Sequence, residues 1–150
     1  MAKAPRYDGL TATTPYGDAV RIVVRALAEE IVRSAPAVLR GEDTRAVHDM
    51  RVSIRRIRSA LRTFDGALPA KRRERLATAM RRIGRRLGVV RDADVHLAVL
   101  RAALAGAASS DRPGIAYAIE SLANRRRVAL AAFAIELSQF DRDAFETDLR

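Results

Sequence analysis

His48-Asp49-Met50-Arg51-Val52-Ser53-Ile54-Arg55-Arg56-Ile57-Arg58-Ser59-Ala60-Leu61-Arg62-Thr63-Phe64 carries two periodicities at once. Wound at about 100° per residue, Met50, Ile54, Ile57, Leu61 and Phe64 share an arc of about 80°. That is the apolar stripe of an amphipathic helix, and it marks the side facing the core. His48, Arg51, Arg55, Arg58 and Arg62 share a second arc of about 80°, centred roughly 110° from the first. Arg56 stands off this line. The second stripe runs about 21 Å over four turns. No acidic residue four positions on neutralises it, and like charges at that spacing repel by a few tenths of a kcal/mol each. A charged stripe is ordinarily just a solvated face. One of a single sign over four turns points to an anionic ligand.

Working outward, the pattern stays helical and strand-like alternation is absent. Residues 1–13 read as a flexible N-terminus. Thr14-Pro15 reads as a helix start, Thr as cap and Pro in the first turn. Val20, Val23, Val24, Leu27 and Ile31 then recur at helical spacing. Pro36 is expected to kink or interrupt this first helix near Ser34, and Gly41 to stop it. Glu42-Asp43-Thr44 opens the second helix with acid at its positive end, and that helix ends near Asp65-Gly66. A third is expected over about Ala70 to Leu87, halted at Gly88. A fourth follows from near Arg91-Asp92 to Ala105-Gly106, a fifth from about Ile115 to Leu137, and a sixth begins in Phe140 to Arg150. The fold class is all-α: an antiparallel bundle of about five to six helices over residues 14–150, with no domain linker.

The third helix repeats the basic theme more loosely. Leu76, Ala79, Met80, Ile83 and Leu87 form its core face. Arg75, Arg82 and Arg86 line one flank with Arg72 nearby, while Arg81 and Arg85 point outward. In an antiparallel hairpin of the second and third helices, the two basic flanks could border one groove.

Composition narrows the functional classes. The 150 residues have a net charge of +10, supplied by 26 Arg and only 2 Lys. High-GC codon usage favours Arg over Lys, but so does recognition, because the guanidinium fork pairs bidentately with phosphate or carboxylate. The segment Thr44–Arg91 alone carries +12, so the positive field is local. No Cys is present, which excludes disulfides, thiolate metal sites and thiol nucleophiles, and the absence of Trp excludes an indole-lined box. No apolar run is long enough to span a membrane, and no signal-peptide pattern opens the chain. A cytoplasmic protein is the expectation.

Val47-His48-Asp49-Met50-Arg51-Val52 followed by Arg55-Arg56-Ile57-Arg58 resembles the signature of the CHAD domain, the conserved-histidine α-helical domain. Leu87-Gly88-Val89-Val90-Arg91-Asp92-Ala93-Asp94-Val95 resembles the second signature of that family, in the right order, and the resemblance spans roughly Tyr16 to Leu149. It implies a helical module that binds inorganic polyphosphate through basic residues, often on polyphosphate granules. Carried onto this chain, the implied binders are His48, Arg51, Arg55, Arg56, Arg58 and Arg62, joined by Arg75, Arg82 and Arg86. The resemblance implies no catalytic residue, metal or cofactor. Similar proteins usually have two helical bundles with a second His/Arg helix, and nothing after Arg127 repeats the His-x-x-Arg pattern. The chain therefore reads as a short form or a fragment, and a homodimer would complete a two-bundle arrangement.

Two rivals stand beside the polyphosphate reading. A nucleic-acid backbone would satisfy the same stripe non-specifically, although stacking aromatics are scarce and no recognition motif is present. A metal-dependent phosphohydrolase would need His48, Asp49, Asp92 and Asp94 to converge as a hard-cation site. Against it, carboxylates at Asp92 and Asp94 also suit a helix start or ion pairs to the basic helices. His96 reads as a surface or packing residue. Arg125-Arg126-Arg127 reads as a solvated cluster with one member able to join the groove, and Arg21 and Arg25 as a possible extension of the basic surface.

Overall fold

The computed structural model describes residues 6–41 and 43–149, the side chain of Arg142 excepted. Among these residues there are five helices and no strand: α1 (Tyr16–Arg40), α2 (Thr44–Thr63), α3 (Ala70–Gly106), α4 (Arg112–Ser138) and α5 (Arg142–Leu149). Of the N-terminal stretch expected to be flexible, residues 1–5 lie outside the described part. Arg6 to Pro15 form turns closed by Leu10 N–H on the Tyr7 carbonyl and Thr14 N–H on that of Thr11.

Successive helices run antiparallel. Tyr16 at the start of α1 meets Phe64 at the end of α2 edge-on, with ring centroids 5.7 Å apart. α2 and α3 are tied at one end by the ion pair of Arg73 with Asp65 and at the other by Arg51 with Gly88. α3 and α4 are joined through Asp94 and Arg126. α5 crosses back, pairing Asp148 with Arg75 of α3 and Glu146 with Arg25 of α1.

The core follows from the stripes. α1 buries Val20, Val24, Leu27, Ile31 and Val38. α2 buries Met50, Ile54, Ile57 and Leu61 as its apolar arc requires, together with Val47, Ser53 and Ala60, while Phe64 at its C-cap is half-buried. α3 contributes Leu76, Met80, Ile83 and Leu87, then Val90 and Leu97. α4 buries only Phe133 completely.

Three boundaries differ from the sequence expectations. Pro36, expected to interrupt the first helix, stands inside α1. It is exposed, as is Val32 one turn earlier, so the carbonyl that loses its N–H partner faces water. Ser34 instead turns its hydroxyl onto the Glu30 carbonyl at 2.8 Å. Thr14, expected to cap α1, makes no cap bond; its hydroxyl accepts from Thr11 N–H at 2.8 Å. Most consequential is Gly88, expected to stop a helix. It lies within α3, which runs unbroken for 37 residues, about 55 Å, so the expected third and fourth helices are one.

The reason is contact with α2. A Cβ at Gly84 would lie 3.2 Å from Ile54 Cγ2, and one at Gly88 would lie 3.4 Å from an Arg51 guanidinium nitrogen. The two glycines, one turn apart, let α2 approach α3 closely and are not helix ends. At Gly41 the expectation holds: it takes φ +74° as the left-handed C-cap of α1 and donates its N–H to the Val38 carbonyl. Asp43 caps α2 by accepting from the Arg45 and Ala46 N–H groups.

Candidate anion-binding surface

α2 presents its basic residues as the wheel requires. His48, Arg55, Arg58 and Arg62 are exposed in a row, and Arg51 is half-buried at the α3 side. Neighbours in the row stand about 5–6 Å apart. Arg51 donates to the Gly88 carbonyl at 3.3 Å and lies 3.7 Å from Asp92 Oδ1. It is thus partly engaged in holding α2 to α3. Arg62 reaches only Ser59 Oγ, at 3.4 Å. Arg56 turns to the α1 side, where it lines a shallow hollow with Tyr7, Val23 and Ser59. None of Arg55, Arg56, Arg58 and Arg62 has a carboxylate within 4.0 Å among the described residues.

The α3 arginines behave differently. Arg75 grips Asp148 with two donors, Nε to Oδ2 at 2.8 Å and a terminal nitrogen to Oδ1. Those hydrogen bonds hold the Asp148 carboxyl below its ordinary range, helped by the charges of Arg75 and Arg72 and opposed by burial. Arg82 meets Glu136 of α4 at 2.9 Å. Arg86 lines the α3–α4 groove with Val89 and Arg125. Gly84 and Gly88 mark the side of α3 that faces α2. Arg75, Arg82 and Arg86 lie more than a quarter-turn from it, towards α4 and α5. The two basic flanks therefore do not line one groove. They stand on opposite sides of the α3 ridge.

Arg81, one turn before Gly84, stands nearer α2. It is paired within its own helix, donating to Glu74 at 2.5 Å and lowering that carboxyl through this bond first and its charge second. Arg85, which the sequence pattern pointed outward, lines a hollow with Arg82, Arg86, Val89 and Glu136. Its place beside Glu136 was legible only from the α3–α4 packing.

The remaining candidates separate. Asp94 turns into the α3–α4 interface and pairs with Arg126, whereas Asp92 is exposed towards Arg51. His48, Asp49, Asp92 and Asp94 do not converge, and no group of three or more potential metal ligands occurs among the described residues. Of the Arg125–Arg127 run, Arg126 is interior, Arg125 borders the α3–α4 groove and Arg127 is exposed. Arg21 and Arg25 do not extend a free basic surface, being paired with Asp18 at 2.6 Å and Glu146 at 3.1 Å. His96 is exposed beside Tyr117 and Val99. No helix in the described residues is long and apolar enough to cross a membrane.

The molecule is thus a helical scaffold that pairs Arg73, Arg75, Arg81 and Arg82 of its third helix with carboxylates and leaves Arg55, Arg56, Arg58 and Arg62 of its second without one among the described residues. The model of the CHAD domain matches residues 22–150, and the chain belongs to that family. A comparison with curated proteins finds no significant match.

Proposed function

We propose that this chain is a binding module for inorganic polyphosphate, captured along α2 by Arg51, Arg55, Arg58 and Arg62 with His48 at one end and Arg56 to the side. The observation that carries the proposal is the row on α2, set beside an α3 that pairs four of its nine arginines with carboxylates among the described residues. On α3, Arg73, Arg75, Arg81 and Arg82 each meet a carboxylate. On α2, Arg55, Arg56, Arg58 and Arg62 have no carboxylate partner among the described residues, and all but Arg56 are exposed. Membership of the CHAD family supports polyphosphate over other polyanions as the ligand.

Capture is multivalent. One exposed guanidinium–phosphate pair is worth only about 0–1 kcal/mol. A row of them meeting a flexible chain of phosphates adds up, and counterion release makes the binding steeply salt-dependent. Arg75, Arg82 and Arg86 form a second strip beyond the α3 ridge, and a chain long enough to cross that ridge would reach both. Nothing in this mechanism turns over the ligand. It suits a cytoplasmic protein recruited to polyphosphate granules.

The test is a titration at about 150 mM salt comparing long-chain polyphosphate with single- and double-stranded DNA of matched charge, with and without Mg²⁺, together with an assay for released phosphate. Tight polyphosphate binding, much weaker DNA binding and no release are expected. Equal binding to all three would reduce α2 to a generic polyanion surface, and phosphate release would make the protein an enzyme.

A further inference from the structure

The outer face of α4 carries a pattern that the anion-binding reading leaves unused. Tyr117, Ser121, Asn124, Val128, Ala131 and Ile135 are all exposed and succeed one another at spacings of 4, 3, 4, 3 and 4 residues. That is the seam of a coiled coil, and it holds no charged residue over about 27 Å of helix. Its three large members are among the most exposed apolar side chains of the fold: Tyr117 at 74%, Val128 at 66% and Ile135 at 60%. Beside it on α3, Val89 and Val99 are also exposed, and shallow grooves run between the two helices. The opposite side of α4 is already used: Phe133 is buried in the core and Arg126 pairs with Asp94 of α3. α4 therefore has two working faces and only one is occupied.

The residues flanking the seam identify the occupant. Glu120 and Arg127 stand on the same edge, seven residues apart. In an antiparallel pair of identical α4 helices, that edge faces its own copy. Placing Tyr117 against the partner's Val128 sets Glu120 beside the partner's Arg127, twice by symmetry. The same register puts Ser121 next to the partner's Asn124 at the centre, where a hydrogen bond between them fixes the alignment. Sliding by one heptad, with Tyr117 against the partner's Ile135, would bring Arg127 against its own copy, so charge selects the first register. Arg127 already leans over the seam, donating to Asn124 Oδ1 at 2.9 Å.

We infer that α4 is a self-association surface on which a second copy of this chain docks antiparallel, in register about Ser121 and Asn124. Such a two-fold contact is isologous and closes on itself. The inference stands apart from the identity of the anion, because no residue of the α2 row takes part.

Sedimentation equilibrium of the full chain is expected to show 16.5 kDa monomers passing to dimers as concentration rises through the micromolar range. Glu120→Arg and Arg127→Glu should each weaken the dimer by about tenfold, and the two changes together should restore it. Val128→Glu, at an exposed position, should abolish the dimer with helicity unchanged. The chain has no cysteine of its own, so a mixture of Tyr117→Cys and Val128→Cys proteins should form a disulfide heterodimer on mild oxidation, whereas neither alone should cross-link. A chain that remains monomeric throughout overturns the inference, as does a dimer indifferent to both charge reversals. A monomer that instead sediments with anionic lipid vesicles through Tyr117 would overturn it in favour of a lipid surface.

Discussion

Arg126 of α4 donates its Nε to Asp94 Oδ1 of α3 at 2.5 Å, and both side chains are withdrawn from water, at 14% and 2% exposure. Asp94 Oδ2 and one terminal nitrogen of Arg126 have no hydrogen-bond partner among the described residues. Such a pair holds two helices in one alignment without adding much stability, because desolvation offsets most of the attraction. Breaking it is another matter. Arg126→Leu strands a buried carboxylate and should cost about 3–5 kcal/mol, whereas Asp94→Leu with Arg126→Met should be neutral or stabilising. Urea unfolding of the three proteins checks this.

Binding should fall when the open row on α2 is thinned. Arg55→Ala with Arg58→Ala removes two exposed guanidinium groups that have no carboxylate partner among the described residues and should weaken polyphosphate binding by roughly tenfold, with a shallower salt dependence. Helicity by circular dichroism should not change. Arg51→Ala should weaken binding and also lower stability, since its guanidinium bonds the Gly88 carbonyl.

The docking of α5 should be sensitive to acid. The hydrogen bonds from Arg75 hold the Asp148 carboxyl below its ordinary value of 3.8. A carboxyl depressed in the folded state contributes stability that is complete above that ordinary value and fades as pH falls below it, through the folded-state value. Arg75 is half-exposed, so water screens the pair and keeps the contribution modest. Chemical denaturation of Asp148→Asn should show a deficit near pH 7 that shrinks as pH falls below 3.8.

Gly41→Ala should destabilise for two separate reasons. The residue holds φ +74°, and an added Cβ would lie 2.9 Å from Leu130 Cδ2 on α4. The backbone strain alone is worth about 1 kcal/mol. The crowding should raise the loss in thermal unfolding to about 2 kcal/mol.

What the sequence revealed and what it hid divide along the range of the interactions. The apolar and basic arcs of α2 are properties of one helix, and the buried Met50, Ile54, Ile57 and Leu61 and the exposed Arg55, Arg58 and Arg62 follow from periodicity alone. The fate of Arg75 does not, because its carboxylate lies 73 residues further on. Glu136 is as distant from Arg82 in kind. Gly88 misleads for a similar reason. Alone in a sequence, a glycine after a helical run reads as a stop; here it is room for a neighbouring helix. Asp94, which read as part of a helix start or an ion pair to a basic helix, is the second of these and lies in the interior.

The open row on α2 also has a meaning for folding. α1, α2 and the first half of α3 are locally consistent, each burying what its pattern says it should. Along Arg51, Arg55, Arg58 and Arg62 the chain keeps like charges a turn apart with only the Asp92 carboxylate in reach among the described residues, an arrangement that works against its own helix. That is local frustration, concentrated on one exposed surface. An anion laid along the row would relieve it, so the free protein sits below its own ceiling of stability, and occupancy of α2 should be readable as a rise in melting temperature.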